Sequence, residues 1–303
     1  NPLTGQVWYN ETANTLKVNT GALVNAWATA NSMNTARSRL GGAGTQTAAL
    51  AFGGAPGNLA LTESYNGTNW TEVNDLNTGK DYTTGVGATN TAALNFGGAD
   101  GTYTVALTES YNGTNWTEVN DLNVGRYALA GAGTNTAALA FGGNTIPLST
   151  SRNETELWNG TNWTAVNVLN TARYQLSGCG ATNTAALAFG GQAPGGLTAQ
   201  TETWNGTNWT EVNDLNSAKQ FQGTAGTNTA ALAFGGQPSL TTETESWNGT
   251  NWTEVNDLNT GRSALAGAGT QTVALAFGGG NPGVTAATEE WGETGGNKTI
   301  TTT

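Results

Sequence analysis

Apolar and polar positions alternate in a pattern that repeats along the chain. Between Thr136 and Gly143 it reads TAALAFGG, an apolar run of strand length closed by two glycines. A run apolar on both faces predicts a strand covered on both sides. Before it, Ala128–Gly133 is built of small residues and predicts a strand in a crowded place. After it come a short strand, Thr155–Trp158, the turn Asn159-Gly160-Thr161-Asn162, and a fourth strand, Trp163–Val168. Asn-Gly is a strong hairpin signal, because both residues tolerate positive φ.

The pattern recurs. Phe-Gly-Gly begins at Phe52, Phe96, Phe141, Phe189, Phe234 and Phe277, in steps of 43 to 48 residues. A Trp marks the same period at Trp27, Trp70, Trp116, Trp163, Trp209 and Trp252. Ten residues beyond each Trp stands a basic residue: Arg37, Lys80, Arg126, Arg173, Lys219 and Arg262. Six such periods predict an all-β fold, a six-bladed β-propeller with four strands per blade. The ends complement each other. The last Phe-Gly-Gly is followed by Thr288-Glu289-Glu290-Trp291 but by no further Trp strand, while the first Trp element lacks a preceding Phe-Gly-Gly. The segment near Asn25–Ser32 is therefore expected to close the last blade, removing the open edges that an unclosed array would leave. The division expected is a hairpin or connecting segment over 1–20, the propeller over 21–294 and a tail over 295–303. The chain opens Asn1-Pro2, without Met and without a signal-peptide pattern, and is read as a processed or partial product.

Composition narrows the function. A net charge of −11 with no basic cluster argues against nucleic acid as a partner. No apolar stretch reaches 18 residues, so no helical membrane insertion is expected. Histidine is absent, which removes the commonest general base and most zinc and copper ligands. Cys179, the single cysteine, replaces the alanine of Gly-Ala-Gly and reads as a small buried residue. No D-x-D-x-D-G loop is present, and neither metal nor cofactor is expected. The acids Asp75, Asp121, Asp214 and Asp257 recur in Val-Asn-Asp-Leu, but Val168 replaces the acid in one period. They are read as lying on an exposed strand that tolerates change. The expectation is a binding or structural module, not an enzyme.

Two sets of residues stand out. Glu63, Glu109, Glu156, Glu202, Glu245 and Glu289 recur before the third-strand aromatic. They are expected to pair with the six repeated basic residues. A partly buried pair of this kind fixes geometry more than it adds stability. The second set comes from variation among the repeats. The turn Asn-Gly-Thr-Asn is invariant in five copies, whereas the connections after Gly-Gly differ in length and content: Ala55–Leu61, Ala99–Leu107, Asn144–Asn153, Gln192–Gln200, Gln237–Thr242 and Gly280–Ala287. In a four-stranded antiparallel blade these connections share a face with the links between blades. Loops on a rigid scaffold are where binding residues collect. The candidate binding residues are Tyr103, Ile146, Leu148, Arg152, Leu197 and Leu240. The Asn-x-Thr turns, such as Asn66, Asn69, Asn112 and Asn115, read as turn chemistry; in a secreted cellular protein they would be glycan acceptors.

The set Arg126, TAALAFGG, TESYNG and NWTEV resembles the kelch motif over about residues 21–294, with the departures that Phe sits directly beside Gly-Gly and that the turns are unusually uniform. The wording of the repeats is similar to kelch-like proteins of marine bacteriophages. Gly5–Asn10 with Asn14–Val18 resembles short hairpins of phage tail-fibre and other virion proteins. These resemblances imply an extracellular virion surface or tail-fibre protein. Its partners would be other virion proteins and a host-surface glycan or envelope protein, and a homotrimer is the arrangement viral fibres favour. Kelch propellers that act as copper radical oxidases need histidine ligands, and sialidase-type propellers carry clustered arginines and aspartate boxes; this chain has neither. The alternative is a secreted or cell-surface lectin-like propeller of cellular origin.

Overall fold

The computed structural model describes residues 7–10, 15–19, 24–147, 149–294 and 297–300. The described elements are strands without a helix. Six four-stranded antiparallel sheets form six blades, beginning at Gly41, Thr84, Ala130, Ser177, Gly223 and Ala266. The first strand of each blade abuts the first strands of both neighbours, and the sixth abuts the first, so the blades close into a ring. The fold is a six-bladed β-propeller.

Closure uses both ends of the propeller. Val24–Ala30 pairs with Thr288–Thr294 over seven residue pairs, from Val24↔Thr294 to Ala30↔Thr288. The equivalent outer ladder of the first blade has four pairs, Thr62↔Val73 to Tyr65↔Trp70. The closing strand thus has the longest outer ladder, at the place where the chain itself is interrupted. Outside the ring, Val7–Asn10 pairs with Thr15–Asn19 as a hairpin. The C-terminal strand Asn297–Ile300 pairs with Thr15–Asn19 as well, so the described part of the segment expected as a tail belongs to the same small sheet as the hairpin.

The packing between blades explains the repeated residues. Each Phe before Gly-Gly is fully buried and meets the Trp of the next blade, with centroids 4.8–5.0 Å apart all round the ring. Each of these Trp side chains donates Nε1–H to a threonine hydroxyl of the preceding blade, as Trp116 does to Thr62 Oγ1 at 3.0 Å. The indole thereby buries its apolar body without leaving its N–H unpaired. The glycines of the inner strands make room for the phenylalanines. A Cβ on Gly85 would lie 2.3 Å from Phe52 Cζ, so only hydrogen fits there. An outer set of bonds runs between exposed asparagines, such as Asn120 Nδ2 to Asn162 Oδ1 at 2.8 Å, from one blade to the hairpin turn of the next. In those turns the first asparagine caps its own loop: Asn66 Oδ1 accepts from the N–H groups of Thr68 and Asn69.

The strand boundaries differ from expectation: the second strand of the third blade spans Ala137–Phe141 within the expected Thr136–Gly143, and the fourth ends at Val166 rather than Val168. The inner strand of the third blade begins at Ala130 rather than Ala128. Ala128 has φ of 52°, in the left-handed region, and cannot continue a strand. Its five counterparts Arg39, Tyr82, Gln175, Phe221 and Ala264 have φ of 50° to 59°.

Candidate functional site: the loop-bearing face and the axial mouth

The residues that hold the loops are buried. The six basic residues are 0–2% exposed and meet the repeated glutamates, with N···O separations of 2.9 Å for Arg37–Glu63, 3.7 Å for Lys80–Glu109, 2.9 Å for Arg126–Glu156, 3.0 Å for Arg173–Glu202, 2.7 Å for Lys219–Glu245 and 3.1 Å for Arg262–Glu289. The same guanidinium spans the base of the variable connection. Arg126 donates to Gly142 O at 3.2 Å, where the connection leaves the second strand, and to Glu154 O at 2.6 Å, where it enters the third. Arg37, Arg173 and Arg262 repeat this arrangement. Each glutamate also accepts from an asparagine in the link between blades, as Glu156 does from the backbone N–H and Nδ2 of Asn123. In the four arginine blades one buried ion pair therefore fixes both ends of a connection and the adjoining link, and the connection between them is free to vary; Lys80 reaches only the far end, at Leu107 O. Burial lowers the pKa of these arginines while the paired glutamate raises it. In the second blade a lysine replaces the arginine, and burial brings Lys80 down to about 8, against the opposing pull of Glu109.

The repeated aspartates are exposed but not idle. Asp75, Asp121, Asp214 and Asp257 accept at Oδ1 from the N–H groups of Thr62, Thr108, Thr201 and Thr244, fixing the entry to the third strand. Among the described residues no group of three or more acids, histidines and cysteines is placed to hold a metal. Cys179 is buried, its pKa pushed up to about 12 by desolvation, which suppresses the thiolate.

The variable connections share one face with the links between blades. Ser38, Asp81, Tyr127, Tyr174, Gln220 and Ser263, each directly after a basic residue, bridge the first residue after Gly-Gly of their own blade: Ala55, Ala99, Asn144, Gln192, Gln237 and Gly280. Three of the connections form small ribbons of their own. On this face Tyr103 is 60% exposed and Ile146 is 37% exposed. Arg152 is partly buried and paired with Glu154 at 2.5 Å, so its charge is already used. Leu197 and Leu240 are partly covered. Leu148 lies outside the described residues. These side chains come from four different connections, spaced round a rim.

At the centre of the same face is a feature that the loop residues do not mark. The six left-handed residues circle the axis, joined by backbone bonds from blade to blade: Arg39 N–H to Ala264 O, Ala264 to Phe221, Phe221 to Gln175, Gln175 to Ala128 and Ala128 to Tyr82, at 2.8–3.0 Å. This girdle rims a cavity of about 150 Å³. Tyr82 and Phe221 belong to opposite blades, yet their ring centroids are 5.9 Å apart across the axis. Arg39 lies over Tyr82, with Cζ 4.5 Å from the ring centroid, and pairs with Asp81 at 3.3 Å. Partial burial raises the pKa of Asp81, and Arg39 opposes the rise. Aromatic rings, a guanidinium and Gln175 thus line one concavity. The signal in the sequence is the second residue after each basic residue, which reads Arg, Tyr, Ala, Gln, Phe and Ala in six otherwise uniform repeats.

No protein-family model matches the chain, and no curated protein matches it. Among solved structures, one titled "Structure of YjhT" is similar, with a TM-score of 0.72 over 86% of this chain and 95% of that chain, at 14% identity. At that identity the likeness shows the fold alone, a six-bladed propeller, and leaves function to the residues themselves.

Proposed function

We propose that this chain is a non-enzymatic binding module of a phage virion surface or tail fibre, and that it engages a host-surface glycan or envelope protein with its loop-bearing face. One observation carries the reading. The two faces are built differently: one bears uniform, self-capped Asn-Gly-Thr-Asn turns, and the other bears variable connections fixed at their bases by buried ion pairs round an axial mouth. Loops free to differ on a rigid base suit a surface whose partner changes. The kelch-like wording of the repeats and the leading hairpin support the phage setting. The hairpin would join the ring to other virion proteins, and a homotrimer is the assembly we expect. The lack of histidine and the buried, thiol-form Cys179 support a role without catalysis.

A second reading, a secreted lectin-like propeller of cellular origin, draws support from the exposed Asn-x-Thr turns. Native and intact-mass spectrometry of the protein from its source separates the two. An unglycosylated multimer that co-purifies with particles supports the virion module. A monomer carrying hexose-series mass on the turn asparagines refutes it in favour of the secreted propeller.

A further inference from the structure

The third residue after each repeated basic residue closes the inner end of the seam with the preceding blade. In four blades it is leucine. Leu40, Leu129, Leu176 and Leu265 lie against the first glycine of the preceding Gly-Gly and belong to the apolar core between the two blades. The fifth blade has Gln222 there. Its amide lies against Gly190 of the fourth blade and is buried, and neither Oε1 nor Nε2 has a hydrogen-bond partner among the described residues. A buried amide left unpaired costs stability, and here it also displaces apolar surface that four other seams bury. Two residues further along the same strand stands Thr224, where the other five blades have glycine. A Cβ on those glycines would lie 2.3–2.8 Å from the phenylalanine of the preceding blade, so the fourth and fifth blades cannot pack at their inner ends as the other pairs do. The Thr224 hydroxyl has no ordinary hydrogen-bond partner among the described residues and lies beside the Cys179 thiol, a weak one. Besides the girdle bond, these inner strands are tied by polar contacts: Ser177 Oγ donates to Gln222 O at 2.7 Å and Cys179 Sγ to Thr227 O at 3.5 Å. The seam between the first and second blades also lacks the leucine. There, however, the Thr83 hydroxyl donates to Gly97 O at 3.3 Å and accepts from Asn95 Nδ2 at 2.6 Å, and the Arg39–Asp81 ion pair spans the two blades.

We propose that the ring opens first at the seam between the fourth and fifth blades, with water entering at Gln222 and Thr224 while the other five seams stay shut. Water supplies the hydrogen-bond partners that both side chains lack in the closed ring. Opening here therefore recovers polar contacts and exposes less apolar surface than opening a leucine seam does. The outer part of the seam keeps the contacts of the other five: Phe189 meets Trp252 at 4.8 Å, and Trp252 Nε1 donates to Thr201 Oγ1 at 3.1 Å. The parting thus begins at the axis and not at the rim. The closing strand, where the chain itself is interrupted, is not the weak point, because its ladder runs over seven residue pairs. Phe221 N–H and Gln175 O, both on the rim of the axial mouth, are joined across this seam, so its opening reshapes the mouth.

Cys179 is the single cysteine of the chain and lies in this seam, so its labelling by iodoacetamide in the folded protein reads the opening directly. In a Cys179→Ala background, Ala132→Cys and Ala225→Cys place the same probe in the seam between the third and fourth blades and in the seam that holds Trp27 of the closing strand. Labelling rates are measured at rising urea below the unfolding transition. We expect Cys179 to react at least tenfold faster than either engineered thiol, with a weaker urea dependence than global unfolding. Gln222→Leu, alone or with Thr224→Gly, restores the residues of the other repeats. It should slow the labelling of Cys179 at least tenfold without lowering the melting temperature. Equal rates at the three seams, a Cys179 rate that tracks global unfolding, or a rate unchanged by Gln222→Leu overturns the proposal. Fastest labelling of the Ala225→Cys thiol overturns it as well, and places the weak seam at the closing blade.

Discussion

Trp116 offers the most direct test of how the ring is held. It is 5% exposed, meets Phe52 of the preceding blade at 4.9 Å and Tyr111 of its own blade at 5.0 Å, and donates Nε1–H to the buried Thr62 Oγ1 at 3.0 Å. Truncation to alanine removes a buried aromatic side chain, which costs about 3–5 kcal/mol. It also strands the Thr62 hydroxyl, a penalty of about 1–3 kcal/mol that overlaps in part with the first. We therefore expect Trp116→Ala to lose about 4–6 kcal/mol. Trp116→Phe keeps most of the ring and loses the donor, so it should lose about 1–2 kcal/mol of the hydrogen-bond part. Urea unfolding followed by far-ultraviolet circular dichroism measures both. The six seams share this geometry, so Trp163→Ala should fall within about 1 kcal/mol of Trp116→Ala. A Trp116→Ala loss below about 1 kcal/mol would refute the packing argument, because a buried indole bridging two blades cannot be removed so cheaply.

Three further outcomes follow from the loop clamps and their lysine variants. Glu156→Gln leaves the Arg126 charge without its counter-ion and should cost about 3–5 kcal/mol in urea unfolding, whereas replacing both residues by apolar ones of similar volume should recover most of it. Lys80 is lowered to about 8 in the folded chain, while an unfolded lysine titrates near 10.4. Between those values the unfolded chain holds more protons, so this residue makes stability rise with pH through the window; Lys80→Arg, which does not titrate there, should lack the rise in a pH series of melting temperatures. Replacing residues 145–151 by a Gly-Ser segment should leave the melting temperature within a few degrees, because Asn144, Arg152 and Asn153 keep the backbone bonds to Tyr127, Gly143 and Leu169. Loss of fold in that variant would show that the connection itself supports the blade.

What was legible in the sequence was what the repeat forces. A residue that must do the same job in every blade recurs at a fixed spacing. The Phe-Gly-Gly strands, the Trp strands, the basic residues and their glutamates are therefore visible in one dimension, and so is the incomplete last repeat that calls for a closing strand. The exposed aspartates were harder to place. Their partners are backbone N–H groups, which carry no residue signature, and the replacement by Val168 resembled tolerance when it was the loss of one cap. Arg152 looked available in the sequence and is tied to Glu154 in the structure.

The axial mouth was decided only by tertiary structure. Arg39, Tyr82, Ala128, Gln175, Phe221 and Ala264 lie 43 to 47 residues apart, and no residue type is common to all six. Ring closure and the left-handed girdle bring them together, so Tyr82 meets Phe221 across the axis although no local pattern pairs them. By itself the sequence determined the number of blades and what binds each to the next, because those contacts are copied six times. The tertiary structure alone decided what stands at the centre, because a ring has one axis and each blade contributes to it a residue that repetition does not constrain.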